Sequence, residues 1–261
     1  MDLRELTWKQ SAGSMASDGV YLKAERTING VKYYYKLSNY DSYQGVFGHE
    51  TINELMAYRL GNTLGFNIPA CDVQKSWVCI DGIEFEAFVY IAKSFKPSGT
   101  SREAFDKFYE HNRIGREESP LDFCKRHGWS DDVYKMFVFD YLIINRDRHG
   151  ANLEVFKNGL KALSPLFDNG ISFVFSYTDK DSDLGSFNDL ADLPVNNFIG
   201  TRSLQKNLEF IDKKLQFNAL PADLEQLLFS GIEDALPQHY YQKILGLIEK
   251  RWERVEGFRI K

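Results

Sequence analysis

The apolar and polar positions change rhythm once along this chain. Over the first ninety-odd residues they read as strands around a single helix, and beyond that point they read as mainly helical. Residues 20–26 and Val31–Leu37 are rich in β-branched and aromatic side chains, and Asn29-Gly30 stands between them. Both turn residues tolerate positive φ, which is what a two-residue hairpin requires. A short strand is expected at 6–9, followed by a small-residue loop at 11–19 that runs into the hairpin. Ile52, Leu55, Met56, Leu60 and Leu64 recur at three-to-four spacing and predict a helix, with Gly65 as its stop. Strands at 72–80 and 83–91 are expected to join through Asp81-Gly82.

Further along, helices are expected near 102–110, 120–127 and 131–144, the last capped by Ser130. Short strands follow at 153–156 and 160–163, then helices near 203–211, 221–229 and 237–254. The polar stretch 176–200 is long for a plain connection and predicts either function or disorder. No Gly/Ser/Pro linker divides the chain, so the change of rhythm itself gives a β-rich unit at 1–92 and a helical one at 93–261.

Composition narrows the function classes. A chain of 261 residues, 43% apolar, buries roughly 70–75% of its unfolded surface and needs no covalent staple. With 32 basic and 37 acidic residues the net charge is −5, which lacks the basic footprint of a direct nucleic-acid binder. Cys71, Cys79 and Cys124 are odd in number and widely spaced, fitting neither a disulfide framework nor a zinc site. The longest apolar run, 136–144, is broken by Asp140 and falls short of the ~20 residues that span a bilayer. Residues 1–5 carry no apolar signal core. A cytoplasmic protein with no membrane insertion is expected; export by a signal-less route stays open.

Four features occur in the order that phosphoryl transfer needs. Asp147 and Asn152 are five positions apart, directly after the apolar helix. Kinase catalytic loops use that spacing, with the Asp receiving the acceptor's proton and the Asn holding Mg²⁺. Asp168 follows in Phe167-Asp168-Asn169-Gly170 after two short strands, where it can aim a hard oxygen ligand at the same metal. Lys36 lies on the strand after the small-residue loop, placed to hold nucleotide phosphates, with Glu54 or Glu50 of the next helix as its partner. Each feature has an ordinary explanation. An isolated Asp-x-x-x-x-Asn is near noise, a lone His149 is more often structural, and Lys36 alone is more often solvated. Thr51-x-x-Glu54 also reads as a capping box, which would tie Glu54 to its own helix. The conjunction and its order carry the signal.

At these residues the chain resembles the HipA-like kinases, an atypical group that includes small secreted effectors. Their catalytic loops, like those of phosphatidylinositol 3/4-kinases, commonly read Asp-Arg-His-x-x-Asn, here Asp147-Arg148-His149-Gly150-Ala151-Asn152. The apolar approach 139–145 and the segment 54–60 with its Leu64-Gly65 are similar to the family's as well. The resemblance covers residues 6–169 and implies a two-lobed α+β protein-kinase-like fold. It implies that an ATP- and Mg²⁺-dependent serine/threonine protein kinase uses Asp147 as base, Asn152 and Asp168 as metal ligands, and Lys36, positioned by Glu54, on the phosphates. Gly13 and Ser14 of the small-residue loop and His149 would also contact the nucleotide, and 88–93, with Val89, Tyr90 and Ile91, would be the hinge beside adenine. Autophosphorylation is expected at Ser11, Ser14 or Ser17, with Ser176, Ser182 and Ser186 as rival sites. The partner implied is a protein acceptor. No counterpart of the extra N-terminal region of full-length HipA toxins is expected, and an antitoxin-type partner stays open but unsupported. Asp168-Asn169-Gly170 replaces Asp-Phe-Gly, so a Phe-flip mechanism does not carry over. A small-molecule or phosphoinositide kinase and a nucleotide-binding scaffold without turnover remain the alternatives.

Overall fold

The computed structural model describes residues 1–11, 21–43, 45–157, 161–175 and 184–260. Five antiparallel strands form one sheet in the order β1-β2-β3-β7-β6. They are β1 (Lys9–Ser11), β2 (Tyr21–Ile28), β3 (Val31–Leu37), β6 (Cys71–Ile80) and β7 (Ile83–Lys93). Two-residue strands β4 (Tyr40–Asp41) and β5 (Gly45–Val46) pair beside it. The hairpins close where the dipeptides predicted. Ile28 pairs with Val31 across Asn29-Gly30, and Ile80 with Ile83 across Asp81-Gly82, with positive φ at all four turn residues. The first strand begins later than expected, because Leu6 is buried beneath the sheet instead of pairing within it.

Helix α1 (Glu50–Thr63) packs against β6 and β7. It ends as its sequence indicates: Phe66 N–H donates to Gly61 O and Gly65 N–H to Asn62 O, the paired bonds of a Schellman stop. The capping-box reading fails, since the Thr51 N–H is satisfied by Ser38 Oγ at 3.0 Å and Glu54 points elsewhere.

The remaining elements are mainly helical. β8 (Ser101–Ala104), α2 (Phe105–Asn112), α3 (Pro120–Arg126) and α4 (Ser130–Ile143) come first. After them come β9 (Asp147–Arg148), a 3₁₀ turn (Gly150–Asn152), β10 (Glu154–Lys157), β11 (Ala162–Leu163) and β12 (Asn196–Asn197). Helices α5 (Leu204–Leu208), α6 (Leu224–Phe229) and α7 (Gln238–Ile260) complete the chain. Residues 101–104 are strand where a helix was expected, because pairing with β10 satisfies their backbone and overrides local propensity. Ser130 is the first helical residue of α4 and not its cap, a position taken by Trp129. α4 is apolar nearly all round and runs through the main core.

Alternation along β7 separates two cores. Ala87 and Val89 face a small cluster containing Leu3, Leu22, Leu37 and Val78, whereas Tyr90 and Ala92 face the large core shared by α1 and the helices. The site lies on that second face of the sheet.

Candidate active site

Lys36 projects from β3 toward α1. Its Nζ donates to Glu54 Oε1 at 2.9 Å and to Asp168 Oδ1 at 3.1 Å, and stands 5.1 Å from the Tyr90 ring centroid. Burial works against its charge, but the two carboxylates outweigh it and hold the ammonium pKa well above its ordinary value. The Lys36 ammonium, in turn, is the main reason the Asp168 carboxyl titrates below its usual range. Glu54 has a second task, accepting the Asn169 N–H on Oε2 at 3.1 Å. From the adjacent position, Asn53 Nδ2 donates to the carbonyls of Gly170 and Ser172. Helix α1 therefore grips the 168–172 loop by side chains on the turn that faces it. Asp168 itself has φ of 60°, a left-handed conformation that turns its carboxylate out of the chain direction toward the lysine.

The Asp147–Asn152 loop is set by what precedes it. Ile144 caps the end of α4 with φ of 53°, and Asn145 N–H closes back on Asp140 O at 2.9 Å. Asn145 Oδ1 then accepts the Asp147 N–H at 3.0 Å. Asn152 Nδ2 donates to Asp147 O at 2.8 Å, which closes the loop and leaves the amide oxygen of Asn152 to serve as an acceptor or metal ligand. Arg148 turns inward and is fully buried. It pairs with Asp140 and also donates to Phe167 O at 2.8 Å and Asn169 Oδ1 at 2.7 Å. Next to the Asp147 carboxylate lie His149 Nε2, 3.7 Å away, and Asn196 Nδ2, at 3.5 Å.

A cleft of about 360 Å³ collects these groups. Lys36, Glu54, Tyr90, Asp147, His149, Asn152 and Asp168 all line it, together with Lys23 and Glu50. Of these lining residues all but Lys23 were singled out in the sequence, and they share one cavity. Val89 and Ile91 do not reach it, because alternate residues of β7 face the other core and their backbones pair with β3 on one side and β6 on the other. Only Tyr90 of the expected hinge meets the cleft. Gly13 and Ser14 lie outside the described residues, as do Ser17, Ser176 and Ser182. Glu50, the alternative partner of Lys36, is buried with Oε2 accepting the Asn39 N–H at 3.1 Å. Burial raises its carboxyl pKa against the hydrogen bonds it accepts.

Sequence reasoning left Asp140, Asn145, Asn169 and Asn196 without roles. Asp140 carried a usable signal, since a charge inside an apolar helix demands a buried partner. Asn196 carried none. It sits in the long polar stretch and meets Asp147 only because β12 pairs in parallel with β9.

Among the described residues no group of three or more His, Cys, Asp or Glu side chains is placed to hold a metal, and no helix is long and apolar enough to cross a membrane. The sequence matches no family model and no curated protein. Among solved structures the fold is similar to the crystal structure of a Helicobacter pylori proinflammatory kinase, CtkA. The TM-score is 0.59 over 100% of this chain and 96% of that one, at 13% sequence identity. At that identity the likeness establishes the architecture: an α+β chain with a sheet lobe and a helical lobe, arranged as in a kinase.

Proposed function

We propose that this chain is an ATP-dependent phosphotransferase of the HipA-like kind that transfers the γ-phosphoryl group to a serine or threonine hydroxyl of a protein. The observation that carries the reading is the convergence of Lys36, Glu54, Asp168, Asp147 and Asn152, from four separate segments, on one cleft. The donor set fits magnesium. The open amide oxygen of Asn152 and the Asp168 carboxylate are hard oxygen ligands, and magnesium takes few of these from protein. When bound, magnesium would neutralise charge on the phosphate oxygens.

The chain's own residues do the rest by positioning and electrostatics. Lys36, fixed by Glu54, holds its ammonium toward the phosphates. Asp147 accepts the proton of the acceptor hydroxyl and orients it in line, with its backbone fixed by Asn145 and Asn152. Arg148, bound to Asp140 and to Phe167 and Asn169, ties the loop that carries Asp147 to the loop that carries Asp168.

The test is transfer from γ-labelled ATP to three acceptor sets: a protein lysate, phosphoinositide vesicles and aminoglycosides. Label on protein serine or threonine, abolished in both Asp147→Ala and Asp168→Ala, is the expected result. Full transfer by either variant, or label confined to vesicles or aminoglycosides, refutes the assignment.

A further inference from the structure

Three lysines stand in a row across the sheet. The strand registers set Lys9 opposite Lys23 and Lys23 opposite Lys36, and directly opposed residues project from the same face. That face is the one Lys36 presents to the cleft. Like charges opposed across neighbouring strands destabilise a sheet, so such a row is a local cost that a bound anion would relieve. Lys36 is already relieved by Glu54 and Asp168. Among the described residues no carboxylate forms an ion pair with Lys23, which nonetheless lines the cleft.

The charges of the cleft sharpen the point. Its lining holds Glu50, Glu54, Asp147 and Asp168 against Lys23 and Lys36. An anionic nucleotide approaching Lys36 meets an ammonium shared between two carboxylates. Lys23 surrenders no ion pair on reaching a phosphate, and it stands one strand spacing, about 4.8 Å, from Lys36.

We propose that Lys23 is a second phosphate-binding cation of this cleft, gripping the terminal phosphates of the nucleotide and setting its preference for a triphosphate over a monophosphate. The proposal deepens the phosphotransferase reading and rests on it. Lys36 fixes the inner phosphates and Lys23 closes over the outer ones, on a flexible stem that lets it follow the chain of phosphates.

Calorimetric titration of ATP, ADP and AMP, each with magnesium, into the full chain and into Lys23→Met and Lys23→Arg tests it. In Lys23→Met, ATP should bind about ten- to a hundredfold more weakly, as expected for loss of a charge-assisted contact, while AMP stays within about twofold. Lys23→Arg should keep the preference for ATP over AMP. Unchanged ATP affinity in Lys23→Met overturns the proposal, and so does an equal loss for all three nucleotides, which would mark Lys23 as a support of the cleft and not a phosphate contact. Failure of the unmodified chain to bind any nucleotide overturns the phosphotransferase reading as well and is seen before any variant is made.

Discussion

Arg148 and Asp140 form a bidentate ion pair with both side chains fully buried, Nη2 to Oδ1 at 2.8 Å and Nε to Oδ2 at 3.2 Å. The same guanidinium reaches Phe167 O and Asn169 Oδ1, which flank Asp168, while Arg148 itself follows Asp147. One side chain therefore sets the distance between the two acids assigned to chemistry. Removing one partner leaves an uncompensated buried charge, so Arg148→Met should cost about 3–5 kcal/mol in urea unfolding. The double variant Arg148→Met/Asp140→Leu should regain much of that stability, because an apolar pair of similar volume can replace a buried ion pair. Phosphate transfer should stay lost in the double variant, since the guanidinium that reaches Phe167 and Asn169 is then gone. Recovery of transfer together with stability would show that the pair holds the fold and nothing more.

Glu54 holds Lys36 with one oxygen and the Asn169 N–H with the other. Glu54→Gln keeps the shape and removes the charge that fixes the ammonium. Phosphate transfer, measured as kcat/KM for ATP, should fall about ten- to a hundredfold, the scale of one charge-assisted contact. A drop no larger than about twofold would return Glu54 to a purely structural role.

Glu50 gives a pH dependence of stability. Burial raises its carboxyl pKa in the folded chain, opposed in part by the Asn39 N–H that its Oε2 accepts. A folded pKa above the unfolded value, about 4.3, means that the folded state holds the proton more tightly. The corresponding stability is complete below the unfolded pKa and is lost as the pH rises through the folded one. Glu50→Gln should therefore raise the unfolding free energy at pH 7 and leave it nearly unchanged near about pH 4. Thermal melts at the two pH values read the difference directly; equal shifts at both would remove ionisation as the cause.

Gly150 sits inside the 147–152 loop against α2. A methyl group there would lie 2.5 Å from Asp106 Cβ and 3.2 Å from its backbone nitrogen. Gly150→Ala must push the loop off the helix, at a cost of about 1–3 kcal/mol, the usual penalty of overpacking. Because the displaced segment carries Asp147 and Asn152, transfer to acceptor should suffer more than AMP affinity. Kinetics and calorimetry on one preparation separate the two.

Much of this molecule was legible from neighbouring residues. Asn29-Gly30 and Asp81-Gly82 marked their hairpins because positive φ at two adjacent positions is a local demand that few dipeptides meet. The spacing of Ile52 to Leu64 marked α1, and the run Asp147 to Asn152 marked the loop. What stayed hidden depended on partners distant in the chain. Residues 101–104 became strand only because β10 was there to pair with them. Glu54 served Lys36 and Asn169 instead of its own helix end because Ser38 had already satisfied Thr51. Val89 and Ile91 left the cleft because strand alternation fixes which residues share a face, and only the packed sheet fixes which face meets the site.

The linear order of residues by itself determined α1, the two hairpin turns and the separation of the two acids, since each depends on backbone preferences over a few positions. The tertiary structure alone decided that Arg148 faces inward, that Asn196 lies beside Asp147, and that Lys23 stands in line with Lys36. Periodicity says how a side chain is turned relative to its neighbours in sequence. It carries no information about which distant group will satisfy that side chain's charge once water is gone, and that is settled only when the sheet, α1 and α4 close on one another.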